Sequence, residues 1–275
     1  MVSEIKKIGI IAGGGQFPLM AAASAKKQGL SVIAVAFEKE ADPELAEKVD
    51  EIIWIKLGQL GKLISAFKKR NVTKALMAGT INKGRMFVNV KPDLRGLSFI
   101  SKFAFFHDDS ILRALADELG EEGIEIVSST LYLPELLAPE GCLTKRKPNR
   151  EEKSDIEAGW KIAKELGRLD IGQCVVIRDK TILALEAIDG TNATILRGGR
   201  IAGEKAVVVK VSKPDQDLRF DIPSIGIETI NSMIEVKSSV LAIESGKTLI
   251  FDREKMIELA DKNRISIVSY KNHIK

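Results

Sequence analysis

Short apolar runs alternate with helical stretches through the first half of the chain. Runs such as KIGIIA and SVIAVAF predict strands at 7–12, 31–37, 51–56, 74–78 and 124–127. Between them, apolar residues at helical spacing predict a helix from Gln16 and helices over 59–70 and 108–122. Strands separated by helices form parallel sheets with right-handed crossovers. We therefore predict an N-terminal Rossmann-like α/β domain built on a parallel sheet.

The second half follows a different pattern. Two segments, CVVIRDKTILALEA at 174–187 and VLAIESGKTLIF at 240–251, have the form of β-hairpins. Further strands are predicted at 206–211 and 265–270, and helices at 152–167, 225–236 and 253–262. This half is predicted to be a smaller, mixed α/β domain.

The segment APEGCLTKRKPNR separates the two patterns. It contains two prolines, one glycine and four basic residues, a composition typical of a linker. We place the N-terminal domain at 1–137, the linker at 138–150 and a catalytic C-terminal domain at 151–275.

Composition and charge exclude several classes of protein. Among the 275 residues, 45% are hydrophobic and 29% charged, which is ordinary for a protein with a core. The 42 basic and 38 acidic residues leave a net charge of only +4, so no nucleic-acid partner is expected. No apolar run is long enough to span a membrane, and the N-terminus lacks a signal peptide. Two cysteines form no disulfide framework, which indicates a cytoplasmic protein, and two histidines leave little for a zinc site or a serine triad.

A glycine-rich turn is the first candidate for chemistry. Gly13, Gly14 and Gly15 stand between the first strand and the first helix, where a helix N-terminus favours phosphate. The dinucleotide fingerprint GxGxxG fails because Pro18 stands at its third glycine. Phosphate or nucleotide contact is the favoured interpretation, and a tight turn without a ligand is the alternative.

Basic residues follow the fourth strand. Gly79 and Thr80 should lie at the same sheet edge as the glycine turn, where open α/β sheets bind ligands. Four cations close by suit an anionic ligand, although an ordinary basic surface loop explains them as well: Lys83, Arg85, Lys91 and Arg95. The next segment, 97–106, holds four phenylalanines. It predicts a buried core helix or, as the sharper alternative, a wall for an aliphatic ligand or a membrane contact.

Acidic residues cluster before a predicted helix at 225. An extended chain would place Asp217, Arg219 and Asp221 on one face, and Asp215 lies nearby. Such carboxylates suit Mg²⁺ bound with phosphates, and equally suit a helix cap or a solvated acid. Glu186 ends a hairpin strand before Asp189-Gly190-Thr191-Asn192, a helix start that binds an anion or serves only as a cap.

Several strings together resemble one family. They are IAGGG (11–15), RGL (95–97), DDSILR (108–113), GRLDIGQ (167–173), EAIDGTN (186–192) and DIPSIG (221–226). Their order and spacing are similar to those of the metal-dependent UDP-2,3-diacylglucosamine pyrophosphatases of lipid A biosynthesis, which are unrelated to the calcineurin-like enzymes. The resemblance runs over about residues 5–270. It implies two domains with the substrate between them, and Mg²⁺-dependent hydrolysis to UMP and 2,3-diacylglucosamine 1-phosphate (lipid X).

The resemblance also implies roles for individual residues. The family's essential aspartate corresponds to Asp221, here the metal ligand and a catalytic residue, with Glu186 assisting. Substrate-binding residues are expected in both halves: Gly13, Gly14, Gly15, Gln16, Thr80, Arg95, Asp108, Asp109, Lys145, Gln173, Thr191, Asn192 and Arg197. The chain departs from the family pattern at Asn192, where the family usually has aspartate, and at His107, where it usually has glycine.

The amphiphilic substrate implies peripheral contact with the inner face of the inner membrane. The resemblance is also compatible with a homodimer. Two other functions stay open at this point. One is an NAD(P)-type oxidoreductase, which tight binding of reduced nicotinamide would favour. The other is a non-catalytic nucleotide-sugar or lipid carrier, which retained product without turnover would favour.

Overall fold

The chain divides into two compact units. The structure, a computed structural model, describes residues 6–81, 91–103, 108–214, 216–220 and 222–271, with backbone alone at 102, 103 and 108–110. Unit 1 comprises Met1–Pro134 and Asp217–Asp221, and unit 2 comprises Glu135–Gln216 and Ile222–Lys275.

Unit 1 is built on a parallel sheet. Its strands are β1 (Lys7–Ala12), β2 (Ser31–Phe37), β3 (Glu51–Ile55), β4 (Lys74–Ala78) and β5 (Glu125–Ile126). They pair in parallel in the order β3-β2-β1-β4-β5, so the predicted parallel α/β class is confirmed. This is the order of the first five strands in doubly wound nucleotide-binding folds. The helices are α1 (Phe17–Lys27), α2 (Leu45–Lys48), α3 (Leu60–Lys68), α4 (Leu94–Phe103) and α5 (Asp108–Glu121).

The apolar runs become the central strands because both of their faces are covered. Nearly every residue of β1 and β2 is buried, as expected for a parallel sheet between helices. On one face, Phe67 of α3 and Leu119 of α5 are fully buried against these strands. The strands thus end together at one carboxyl edge, which positions the glycine turn and Thr80.

Unit 2 contains a mixed sheet of its own. Its order is β6 (Gly141–Cys142), β13 (Ser266–Tyr270), β11 (Val240–Glu244), β9 (Val207–Lys210), β7 (Cys174–Arg178) and β8 (Thr181–Leu185). The strands β9, β11 and β13 are parallel, whereas β6, β7 and β8 join by antiparallel pairs. The helices are α6 (Arg150–Arg168), α7 (Gly190–Ala202), α8 (Ile227–Glu235) and α9 (Arg253–Lys262), and Pro134–Leu136 forms a 3₁₀ turn. The predicted mixed α/β class of this half is confirmed.

Residues 138–150, predicted as a linker, contribute to this unit. They supply β6, and Asn149 begins α6 with a capping box in which its side chain accepts from the Glu152 amide at 2.8 Å. The Glu152 carboxylate in turn accepts from the Asn149 amide at 2.9 Å and binds Arg146.

The prediction of a second hairpin at 240–251 is wrong. The first hairpin forms as β7 and β8, but β11 pairs in parallel with β9 and β13. The following strand, β12 (Leu249–Ile250), pairs instead with β10 (Ser224–Ile225). The reason is that Glu244, which ends β11, is fully buried and held by Lys164 and Ser212, so β11 remains in the centre of the sheet.

The acidic segment is not extended between Asp217 and Phe220. An extended chain was the condition for Asp217 and Arg219 to share one face. The Phe220 amide donates to the Asp217 carbonyl at 3.0 Å, which closes a turn. Arg219 donates to the Asp217 carboxylate through Nε and Nη2, at 2.9 and 2.7 Å, and this pairing lowers the pKa of Asp217. The fork between neighbouring side chains therefore stabilises a turn rather than a strand.

Candidate functional site

The glycine turn of unit 1 is fastened to the segment after β4. The Gly13 amide donates to the Ala78 carbonyl at 2.8 Å, and Gly14 and Thr80 exchange backbone hydrogen bonds at 2.7 and 3.0 Å. The predicted neighbourhood of the glycine turn and Thr80 is therefore confirmed. The exposed Thr80 hydroxyl and the turn lie at the carboxyl edge of the sheet, where such folds bind ligands.

Close approach of two backbones requires glycine here. A Cβ on Gly13 would lie 2.5 Å from the Thr80 carbonyl oxygen. Gly79 has a φ of +89°, and its Cβ would meet the Gly14 carbonyl oxygen and lie 2.8 Å from the Gly13 carbonyl carbon. Gly15 also has a φ of +89°, but there is open space around it. Gly15 and Gln16 are both exposed, and no side chain caps the start of α1 at Gln16. This arrangement can receive an anion.

An apolar cavity adjoins the glycine turn. Its volume is about 320 Å³, and every described residue that lines it is apolar or glycine. Gly13 and Gly79 form part of the wall, and Ile111, Leu112 and Leu115 of α5 form another part. A second apolar cavity of about 180 Å³ shares Ile111 and Leu115 with the first and is also lined by Phe99 and Ile100 of α4. Residues Phe99 and Ile100 of the segment 97–106 thus line an apolar cavity, which agrees with the predicted aliphatic wall. The alternative of a buried core helix does not account for Leu97, which is 53% exposed.

The predicted cations of unit 1 are not gathered at the turn by any described contact. Arg95 binds Glu118 of α5 and Glu122 just after its end, with nitrogen-to-oxygen distances of 2.8 and 2.7 Å. These two carboxylates raise the pKa of the Arg95 guanidinium. Lys91 is exposed. Lys83, Arg85 and His107 lie outside the described residues, as do the side chains of Asp108 and Asp109, whose backbone begins α5.

In unit 2, Glu186 stands at the edge where three parallel strands end. The strand β8 runs with β9, so Glu186, one residue past its end, lies at the same edge as the ends of β9 and β11. Its carboxylate is 7% exposed and accepts from the Gln173 amide at 3.0 Å and from the Thr191 hydroxyl at 2.6 Å. Two neutral donors thus fix a buried carboxylate at the carboxyl edge of the parallel strands, the kind of edge where open α/β sheets bind ligands.

Close packing holds Glu186 in place. A Cβ on Gly172 would meet the Glu186 carbonyl oxygen and lie 3.0 Å from the Glu186 Cβ. The side-chain oxygen Oε1 of Gln173 is buried and has no hydrogen-bond partner in the described part of the chain. A buried acceptor without a donor is costly, so this oxygen calls for a donor or a cation outside the described residues.

The start of α7 brings further predicted residues to Glu186. Thr191 binds its carboxylate directly, and Asn192 is exposed in the first helical turn. Arg197, one turn further, donates to the Leu185 carbonyl at 3.1 Å and to Asp189 at 2.8 Å. Gln173, Glu186 and Thr191 are therefore hydrogen-bonded together, and Arg197 binds the segment beside them.

Other predicted site residues lie elsewhere or cannot be described. The Lys145 amide donates to Asp261 at 2.7 Å, and Lys145 lies beyond the start of β13, at the opposite edge of the sheet from Glu186. Asp221, the predicted metal ligand, and Asp215 lie outside the described residues. Among the residues that are described, no three histidine, cysteine, aspartate or glutamate side chains are grouped as a metal site.

Charged residues that sequence reasoning missed stand at the same edge as Glu186. Lys210 is 7% exposed and ends β9, and Glu244 is fully buried and ends β11. Lys164 of α6 donates to Glu244 at 2.6 Å, and Ser212 donates through its hydroxyl at 2.7 Å. Burial opposes ionisation of Glu244, but the bonds from Lys164, Lys247 and Ser212 prevail and lower its pKa to about 2. The signal in the sequence was a single charge at the end of two apolar runs, AVVVK and VLAIE.

Comparison with known proteins identifies relatives over almost the whole chain. A model of the LpxI N-terminal domain matches residues 7–136, and a model of the LpxI C-terminal domain matches residues 139–268. The UDP-2,3-diacylglucosamine pyrophosphatase LpxI of Caulobacter vibrioides is 33% identical over 268 residues, which cover 94% of this chain and 95% of that protein.

Solved structures resemble the chain only weakly. Phosphoribosylglycinamide synthetase from Anaerococcus prevotii is 18% identical with a TM-score of 0.27, over 64% of this chain and 32% of that one. An N5-carboxyaminoimidazole synthetase from Staphylococcus aureus complexed with ADP is 17% identical with a TM-score of 0.26, over 62% and 37%. The matches span about a third of these larger proteins, and at such TM-scores they carry no argument.

Proposed function

The chain belongs to the LpxI family, and from this premise we propose that it hydrolyses the pyrophosphate bond of UDP-2,3-diacylglucosamine in lipid A biosynthesis. The products are UMP and 2,3-diacylglucosamine 1-phosphate. The observation that carries the proposal is 33% identity to the Caulobacter pyrophosphatase over 94% of the chain, with both family domains matched in order. The chain is accordingly a hydrolase that acts on a diphosphate bond.

The cluster around Glu186 supports a catalytic role for unit 2. Hydrolysis of a diphosphate requires an attacking water and a group that takes its proton. Glu186 offers a carboxylate that the Gln173 amide and the Thr191 hydroxyl hold in one orientation. In our proposal, one oxygen of this carboxylate accepts the proton of the attacking water. Arg197 orders the start of the same helix through Asp189.

We further propose that Mg²⁺ assists the reaction and that Asp221, as the family resemblance implies, is its ligand. Mg²⁺ takes oxygen ligands and is commonly bound by one or two carboxylates together with substrate phosphates and water. A single aspartate fits that donor set, although no group of three ligands is present among the described side chains. When bound, the ion would neutralise charge on the diphosphate. The chain's own residues then position the diphosphate and remove the proton.

Unit 1 offers features that suit both ends of an amphiphilic nucleotide. The turn at Gly13–Gly15 with Gln16 and Thr80 presents backbone to an anion, and the 320 Å³ apolar cavity beside it suits an acyl chain. We propose that this unit binds part of the substrate through these two surfaces.

Contact with the membrane surface is also proposed. No helix in the described residues is both long and apolar enough to cross a bilayer. Helix α4 nevertheless exposes Leu94, Leu97 and Ile100, at 88%, 53% and 41%. Vesicle co-sedimentation should weaken for Leu97→Ser and not for Leu131→Ser, a matched change at a 54% exposed leucine outside α4. A homodimer stays a prediction, which light scattering of the purified protein tests.

The decisive experiment follows UMP release from UDP-2,3-diacylglucosamine. We expect release by the wild type with Mg²⁺, loss of release with EDTA, and loss in Asp221→Ala. Absence of release under all conditions contradicts the enzyme, unchanged release with EDTA contradicts the metal, and unchanged release in the variant contradicts the role of Asp221. Product that co-purifies without turnover supports the carrier alternative. The motivation for that alternative is Asn192, which stands where the family usually has an aspartate.

A further inference from the structure

A buried lysine in unit 2 has, among the described residues, fewer partners than a buried charge normally has. Lys210 is 7% exposed, and its ammonium donates to the Ser224 carbonyl at 2.9 Å. An ammonium has three N–H donors, and in the described part of the chain this carbonyl is the one acceptor it binds, with no carboxylate within ion-pair distance. Charged groups in protein interiors are ordinarily paired, so the arrangement calls for an anion.

The surroundings of Lys210 on the sheet are apolar. Its partners in the neighbouring strands are Cys174 of β7 and Ile243 of β11. Two residues earlier on the same face, Val208 is fully buried in the core. Packing against such neighbours gives no reason for a charge, since a methionine of similar length would fill the space.

The position of Lys210 is that of a ligand-binding group. It ends a parallel strand at the edge that also holds Glu186. Both charges act on the thiol of Cys174: burial and Glu186 raise its pKa, and Lys210 opposes them.

We propose that Lys210 contacts the diphosphate of the substrate and is a phosphate-binding residue of unit 2. The inference rests on the proposed function and adds a residue to it. Anionic phosphate oxygens would accept the remaining N–H donors of Lys210, and a desolvated ammonium binds an anion more strongly than an exposed one does. The same oxygens gain charge as the bond to the leaving phosphate breaks, so the contact favours the transition state.

Lys210→Met tests the proposal because a substrate-binding role and a purely structural role predict different results. The first predicts lost activity at unchanged stability, and the second predicts lost stability. We expect kcat/KM for UMP release to fall about 100-fold, the usual effect of losing one donor to a developing charge. We also expect an unchanged or higher Tm, since an apolar side chain replaces a buried charge. Lys210→Arg should retain more activity than Lys210→Met. In addition, saturating UDP with Mg²⁺ should raise the Tm of the wild type more than that of Lys210→Met.

The matched control is Lys164→Met, which removes a lysine that does have a carboxylate partner, Glu244. It should lower Tm and retain kcat/KM at temperatures where it is folded. Wild-type kcat/KM in Lys210→Met, or a loss of activity that only follows a lower Tm, overturns the role of Lys210. If Lys210→Met does not fold, Lys210→Gln receives the same measurements. Absence of UMP release by the wild type contradicts the proposed function instead. In that case, the difference in the Tm shift caused by UDP with Mg²⁺ between the wild type and Lys210→Met still tests the role of Lys210.

Discussion

The two units end their parallel strands in edges of opposite character. In unit 1, the edge consists of glycine backbone and an apolar cavity, and every described residue lining that cavity is apolar or glycine. In unit 2, the edge holds the buried charges Glu186, Lys210 and Glu244. The ends of parallel strands thus provide two environments, one suited to binding by backbone and apolar contact and one suited to chemistry on a charged group.

The charges of unit 2 also differ among themselves. Glu244 is bound by the cations Lys164 and Lys247 and by Ser212, and these contacts lower its pKa. Among the described residues, Glu186 is held by neutral donors alone, and Lys210 by one carbonyl. We infer that the charge paired with cations stabilises the fold and that Glu186 and Lys210 act on the substrate. The predictions below test this division.

The largest effect is expected from breaking the satisfied pair. Lys164→Met removes one of the two lysines that bind the buried Glu244, the other being Lys247, and removing one partner of a buried ion pair costs up to about 3–5 kcal/mol of unfolding free energy. Urea denaturation should show this loss. The exposed pair of Arg200 and Glu235 serves as the control, since Arg200→Met should change stability by less than about 1 kcal/mol. Equal losses in the two variants would contradict the special status of Glu244.

The ion pair of Lys164 and Glu244 should make the unfolding free energy sensitive to acid. The pKa of Glu244 is lowered from 4.5 to about 2, so its contribution is present above pH 4.5 and is lost as the pH falls toward 2. The shift corresponds to about 3 kcal/mol. Stability measured from pH 6 downward should therefore fall less steeply in Glu244→Gln than in the wild type. Parallel curves would show that other carboxylates cause the acid loss.

A pair of glycines sharpens the description of the unit 1 edge. Gly79 and Gly15 both have a φ of +89°, but only at Gly79 would a Cβ collide with backbone, at Gly13 and Gly14. Alanine at either position meets the conformational cost of about 1 kcal/mol, and Gly79→Ala should cost clearly more. Thermal unfolding compares them. A Gly15→Ala variant as unstable as Gly79→Ala would contradict the close fit of the two backbones.

Much of the fold could be predicted from the sequence because its strands are apolar runs bounded by helices. The strands β1 to β4 lie where these runs lie. The pairing of β11 with β9 and β13 could not be read locally, since the turn at Glu244–Lys247 has the composition of a hairpin while the partners are distant in sequence. The turn at Asp217–Phe220 was missed because it depends on the fork between Arg219 and Asp217.

The site was predicted to a similar extent. Motif strings indicated Gln173, Glu186 and Thr191, which the fold brings together. They gave no indication of Lys210, since a lysine at the end of an apolar strand is ordinarily exposed and only tertiary burial reveals it. Lys145 was predicted as a site residue but lies at the other edge of the sheet, where its amide donates to Asp261. A run of basic residues in the sequence gives no information about the sheet edge on which they lie.

The smallest of these effects concerns the orientation of Glu186. Thr191→Val removes a hydroxyl that donates to Oε1 at 2.6 Å, and loss of one hydrogen bond to a charged group costs about 1.5–3 kcal/mol. We expect kcat to fall about 10-fold or more, with KM little changed. Thr191→Ser, which retains the hydroxyl, should recover most of the rate. A rate in Thr191→Val equal to that of the wild type would show that this bond does not orient a catalytic group.

The central claim is that the buried charges without an ionic partner among the described residues, Glu186 and Lys210, perform the chemistry, while the ion-paired Glu244 stabilises the fold. Its most direct test is kcat and Tm for two variants, Glu186→Gln and Glu244→Gln. The account predicts that Glu186→Gln lowers kcat for UMP release by about 100-fold or more at nearly wild-type Tm. It predicts that Glu244→Gln lowers Tm and retains kcat. Wild-type kcat in Glu186→Gln, together with lost kcat in folded Glu244→Gln, would contradict it.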